Sequence, residues 1–203
     1  MPSNPAPGRA PLTPGADFHQ RMIPVTRQPR RLWFRVHKTG TPAVAFGKFP
    51  HHRFSHPHCP FPLLYLGATP QTCLWEYFGD EVFHGQRVIS AAKWGGCRLS
   101  QVLVPDLKVC AVSQERTRDA MSVDRASLMA ADLNIPQAWG LAVQEHPAAF
   151  EAIQYSSRFL DQSCLVLFDR DGLSAKLRET RLGCLADLDA AVDWLEERKT
   201  ALV

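Results

Sequence analysis

Apolar and polar positions divide this chain into short strands and capped helices. Arg31 to His37, RLWFRVH, alternates Leu32, Phe34 and Val36 with Arg31, Trp33, Arg35 and His37, the period-two pattern of a strand with one face buried. Arg35 then shares a face with Trp33 and His37. The run FPLLYLGATPQTCLWEYFGD, Phe61 to Asp80, is the stretch around which the chain is organised. Leu63 to Leu66 reads as a core strand, set off by Pro60 and Pro62 before it and by Gly67 to Pro70 after it. A helix follows: Thr69 can accept a bond from a first-turn amide, Pro70 sits where a missing N–H costs nothing, and Gly79 predicts a left-handed stop. Tyr65 projects from the strand. Glu76 projects from the helix, two turns in, among Cys73, Leu74, Trp75 and Phe78.

The remaining chain follows the same grammar. Lys38 to Pro60 is loop-like, and Glu81 to Gly96 predicts a short helix and loop. Leu99 to Val104 and Leu107 to Val112 read as strands broken by Pro105. Ser122 is placed to cap a helix running to about Leu133 with Asp124 in its first turn, and Pro136 opens another that Pro147 ends. Ile153 and Tyr155 lie in a strand, Ser156 to Asp161 in a turn, and Cys164 to Phe168 in a second, nearly all-apolar strand. Leu185, Leu188, Val192 and Leu195 form the apolar stripe of a closing amphipathic helix, Leu185 to Lys199. Residues 1–21, rich in proline, predict a disordered tail with order beginning near Met22, so that 22–203 forms one domain.

Composition narrows the classes. At 203 residues, with 45% hydrophobic and 21% charged positions, the chain has the make-up of one ordinary globular domain. A net charge of +3 without a dense Lys/Arg stripe argues against direct nucleic-acid binding. The N-terminus lacks an apolar core and nowhere do eighteen apolar residues run together, which predicts a cytoplasmic protein with no membrane association. Six cysteines without CxxC spacing, several inside apolar runs, predict reduced and buried thiols. His51, His52, His56, His58 and Cys59 offer zinc-type ligands but neither a CxxC pair nor an HExxH helix, so the segment reads as a polar loop and no metal is assigned.

Three polar residues stand out, each with two readings. Glu76 is either a solvated residue of the helix or a fixed charge in a pocket wall. Arg35 is either an edge residue or a fork for phosphate or carboxylate. The serines after Tyr155 either bond neighbouring backbone or aim a hydroxyl into a pocket.

Order and local context together bring these residues into one pattern. FRV at Phe34 to Val36, RF at Arg53 and Phe54, LLYLGATPQTCLWE at Leu63 to Glu76 and the AIQYSSR…CLVLF block at Ala152 to Phe168 resemble the RES-domain family, across about residues 31 to 170. His51 and His52 stand where a glycine commonly precedes the second arginine, Val36 where an aromatic often follows the first, and YSSR holds two serines. The resemblance implies a single α+β domain with mixed central sheets and flanking helices, similar to ADP-ribosyltransferases. It implies the toxin of a type II toxin–antitoxin pair, with an Xre-like helix-turn-helix antitoxin that covers the active site. Arg35, Glu76 and Ser157, with Ser156 as the alternate, are the implied catalytic residues, and Arg53 and Tyr65 the implied NAD-binding ones. NAD is then a consumed substrate and not a cofactor, in keeping with the absence of a Gly-x-Gly-x-x-Gly run. The first expectation is cleavage of the nicotinamide–ribose bond, and the second is ADP-ribosylation of a protein. A non-catalytic binding module, a metal hydrolase using the His51–Cys59 loop and a nuclease are the remaining alternatives.

Overall fold

Thr69 opens the central helix as its sequence requires: in an extended conformation, its Oγ1 accepts from the Thr72 amide at 3.1 Å, and Pro70 takes the first helical position. The structure, a computed structural model, describes residues 13–84 and 87–203. Its elements are β1 (Thr26–Gln28), β2 (Arg31–Lys38), β3 (Leu63–Gly67), α1 (Pro70–Phe83), β4 (Val88–Ile89), α2 (Ala91–Gly95), β5 (Cys97–Val104) and β6 (Leu107–Ala111). There follow α3 (Glu115–Met121), α4 (Arg125–Leu128), α5 (Asn134–Glu145), β7 (Ala152–Ser156), β8 (Ser163–Phe168), α6 (Leu173–Lys176), β9 (Arg178–Cys184), α7 (Asp189–Glu197) and β10 (Ala201–Leu202). Eight strands form one mixed sheet in the order β1-β6-β7-β8-β3-β2-β5-β9, with β6 and β7 parallel and every other neighbouring pair antiparallel. The architecture is a single α+β domain.

At the middle of the sheet both faces are covered. Leu64 and Leu66 of β3 pair with Leu167 and Leu165 of β8 and share one apolar cluster with Trp33, Val102 and Leu173. Leu63, Val166 and Phe168 lie in another, against Trp139 and Val143 of α5. A third cluster joins Leu74 and Phe78 of α1 to Trp94 and to Trp194 and Leu195 of α7. Burying each of these side chains contributes about 1.5–3 kcal/mol relative to exposure. Five of the six cysteines are buried and all are unpaired thiols. Among the described residues, no helix is long and apolar enough to cross a membrane.

Several expectations need correction. Gly79 does not end α1, which continues to Phe83: a Cβ there would lie 2.5 Å from Cζ of Phe159, so the glycine makes room for a ring and does not cap. On β2, Leu32 is 45% exposed while Trp33 is fully buried, because the sheet's second face is itself a core. Ser122 adopts φ 55° and closes α3, which the sequence reading lacks, and Asp124 caps the four-residue α4 through the Ser127 amide at 2.6 Å. Strand β9 was also not foreseen. In the closing helix Ala191 and Trp194 are buried with Leu195, whereas Val192 is exposed. Residues 1–12 of the predicted tail lie outside the described residues. In its remainder Phe18 is buried against Trp139 and His146, with ring centroids 5.4 and 5.3 Å away, while Met22 is 94% exposed. Order thus reaches upstream of the expected boundary.

Candidate active site

Pairing between β2 and β3 is confined to Phe34 and Gly67, and a cavity of ≈ 160 Å³ opens beside that junction. Arg35 and Val36 come to it from β2, Tyr65 to Gly67 from β3, Cys73, Glu76 and Tyr77 from α1, and Tyr155 from β7. Gly67 allows the close approach of strand and helix, since a Cβ there would lie 2.7 Å from the Cys73 sulfur.

Glu76 is an exposed residue, as a solvated helix face requires, yet it is also held in place. Ser157, itself only 2% exposed, donates its hydroxyl proton to Oε1 of Glu76 at 2.6 Å. The Ser157 hydroxyl oxygen in turn accepts from the amides of Phe159 at 3.2 Å and Leu160 at 3.4 Å. A hydroxyl has one proton and two lone pairs, so Ser157 is saturated. It orients the carboxylate through a short charge-assisted bond and is not disposed to attack a substrate. The Tyr155 hydroxyl donates to the other carboxylate oxygen over 3.5 Å. Burial pushes the titration of Tyr155 well above the ordinary phenol range, so it keeps its proton as a donor. Ser156 lines a second cavity and pairs with Ser163 across the strands, which leaves Ser157 as the serine that meets Glu76.

Arg35 is anchored at the back of the cavity, with Nη1 donating to the carbonyls of Ala43 at 2.6 Å and Ala45 at 3.1 Å. Burial lowers its pKa to about 10, and it remains a cation at neutral pH. Tyr65 donates to the carbonyl of Arg53, and its ring lies 5.1 Å from that of His52. The guanidinium of Arg53 goes elsewhere. Its Nη1 donates to the carbonyls of Leu128 at 2.8 Å and Ala130 at 3.2 Å, and the residue is not among those lining the cavity. Cys59, at the end of the histidine-rich loop, is buried and takes a bond from Gln144 at 2.8 Å. Among the described residues no group of three or more His, Cys, Asp and Glu side chains is arranged to hold a metal ion.

Tyr155 and His52, like Phe49 and Tyr77, line the cavity without being among the site residues expected from the sequence. Tyr155 carried a signal, standing in an alternating strand directly before the serines. His52 was marked only as one of a loop's histidines, and its place beside Phe49 and Tyr65 follows from how the loop docks on β3. Burial, and then the charge of Arg35, lower its pKa, so at neutral pH it is an uncharged ring.

Gln162 sets the relation between helix and serine. Its Oε1 accepts from the hydroxyls of Thr69, at 2.8 Å, and of Thr72 at the start of α1, while its carbonyl accepts from the Ser157 amide at 2.8 Å. Gln162→Ala is expected to lower stability by about 1 kcal/mol, because the Thr69 and Thr72 hydroxyls lose their shared acceptor and keep only each other, at 2.8 Å. Gln162→Glu keeps an acceptor atom there and should unfold near the wild-type urea midpoint. Equal midpoints for the alanine variant and wild type would refute the clamp.

Comparison with known proteins gives two findings. The model of the RES domain family matches residues 28–187. Among solved structures, a chain in the crystal structure of the M. tuberculosis MbcT–MbcA toxin–antitoxin complex is similar, at 18% identity and a TM-score of 0.60, over 87% of this chain and 93% of that one. At that identity the likeness speaks for the fold. No curated protein matches.

Proposed function

The chain belongs to the RES domain family, and from that premise we propose that it is the toxin of a toxin–antitoxin pair and cleaves the nicotinamide–ribose bond of NAD. The observation that carries the chemistry is the 2.6 Å bond from buried Ser157 to Glu76, which fixes one carboxylate on the wall of a cavity that also holds a cationic arginine. Nicotinamide leaves as a neutral ring, so no acid need protonate it, and positive charge develops on the ribose. A carboxylate held beside that sugar stabilises the oxocarbenium-like transition state, as in glycosidases. Ser157 and Tyr155 keep the carboxylate oriented, so little reorganisation accompanies the charge development. Tyr65, with Phe49 and His52 around it, offers flat surfaces for a ring. Arg35 supplies the positive charge that a diphosphate or ribose oxygen would meet.

The toxin reading rests on the family and on the fold shared with a chain of a toxin–antitoxin complex. It carries with it an antitoxin partner, which we take to be Xre-like, to cover this cavity, and to act with the toxin in the cytoplasm. The test is mass spectrometry of NAD incubated with the purified chain, with and without phosphate and cell extract. Loss of NAD with release of nicotinamide is expected. ADP-ribose mass added to an extract protein would instead identify an ADP-ribosyltransferase, and intact NAD in every arm would refute the proposal. In the same assay Arg35→Ala should raise KM by roughly tenfold or more while kcat changes by less than about threefold, the pattern of an interaction made equally in ground and transition states. An unchanged KM would remove Arg35 from substrate binding.

A further inference from the structure

Tyr155 also lines a second cavity, of ≈ 100 Å³, that the mechanism above does not use. Its walls come from the end of β6, from α3 and α4, and from the β7–β8 turn. Arg118 and Arg125 face it together with Ser113 and Ser156, and Asp161 is its one carboxylate. The Arg118 guanidinium is fixed, since its Nη1 donates to the carbonyls of Val112 at 3.0 Å and Ser113 at 2.7 Å. Among the described residues neither arginine forms an ion pair with an acidic group. A concave surface with two guanidinium groups, one held rigidly, and two hydroxyls has the donors that a tetrahedral oxyanion needs.

We propose that this cavity is an anion site that binds a phosphate group, either free orthophosphate or phosphate carried on a nucleotide. Arg118 is its rigid donor. Arg125, itself exposed at the start of α4, is the adaptable one, and the hydroxyls of Ser113 and Ser156 complete the shell. Because Tyr155 lines both cavities, an anion here would share a wall with the residue that bonds Glu76. The inference goes beyond the cleavage of NAD and stands without it, since it concerns binding by residues that the reaction does not require.

Calorimetric titration of the full chain with orthophosphate and, separately, with ADP tests this, with chloride holding ionic strength constant. Saturable binding of at least one of them is expected, weakened roughly tenfold or more by Arg125→Glu, as for loss and reversal of a charge-assisted contact, and retained in Arg35→Ala. Arg125 makes no side-chain bond that the fold depends on, so the variant should fold, and Ser113→Ala gives a second, milder probe that should weaken binding by about threefold. Binding of orthophosphate identifies free phosphate as a ligand, and binding of ADP alone identifies nucleotide phosphate. No saturable binding of either, unchanged affinity in Arg125→Glu, or loss of binding in Arg35→Ala overturns the assignment, and none of these depends on whether NAD is consumed.

Discussion

Glu76→Gln is expected to slow nicotinamide release by about a hundredfold or more while leaving the fold intact, the scale of loss when a preorganised group facing developing charge is removed. The two side chains have the same shape, and an amide oxygen can still accept the Ser157 proton, so the geometry of the Ser157 contact survives. What disappears is the negative charge that the proposed mechanism sets on the cavity wall beside the ribose. Because Glu76 is exposed, the substitution should hardly move the thermal midpoint. KM should also change little, since the charge matters as the glycosidic bond stretches and less before. Turnover within about threefold of wild type, in a variant shown to be folded, would exclude Glu76 from the reaction.

The second large effect falls on stability. Gly140 lies in α5 where the helix crosses the backbone of Phe54, and a Cβ at 140 would sit 2.7 Å from both the carbonyl carbon and Cα of that residue. Main-chain atoms cannot swing aside as the end of a side chain can, and Phe54 already holds a positive φ of 66°. Gly140→Ala should therefore cost about 3 kcal/mol, which for a domain of this size lowers Tm by roughly 6–12 °C. The loop that must give way carries His52 and the Arg53 carbonyl bonded by Tyr65, so surviving protein should also bind substrate more weakly. A melting temperature within about 2 °C of wild type would mean that the helix can slide without loss.

The parts of the fold legible in sequence are those whose causes are local. Thr69 and Pro70 announce the start of α1, and the apolar runs at Leu63 and Cys164 announce β3 and β8, because capping and strand burial act over a few residues. The misread positions answer to distant partners. Gly79 looks like a helix stop until Phe159 is seen packed on it. Trp33 looks like an outward residue until the second face of the sheet is found covered. Strand β9, RETRLGC, is polar because it lies at the sheet edge, where period-two burial leaves no trace. The site divides in the same way. Arg35, Glu76 and Ser157 were suggested by their order along the chain, and the fold brings Glu76 and Ser157 into contact and Arg35 to the same cavity. The placement of His52 and the bonding of the Arg53 guanidinium to the Leu128 and Ala130 carbonyls depend on how the 38–60 loop docks against α4 and α5, which no local pattern encodes.

The bond that positions Glu76 joins residues 81 apart in the chain. At ribosomal speeds of about 5–20 residues per second, roughly 4–16 s separate the synthesis of the acid from that of its serine. The strand bearing Tyr65 likewise gains its main partner only when β8 has been made. A nascent fragment that ends short of the late strands therefore holds the glutamate without the group that aims it. The order of translation itself delays competence until most of the polypeptide exists.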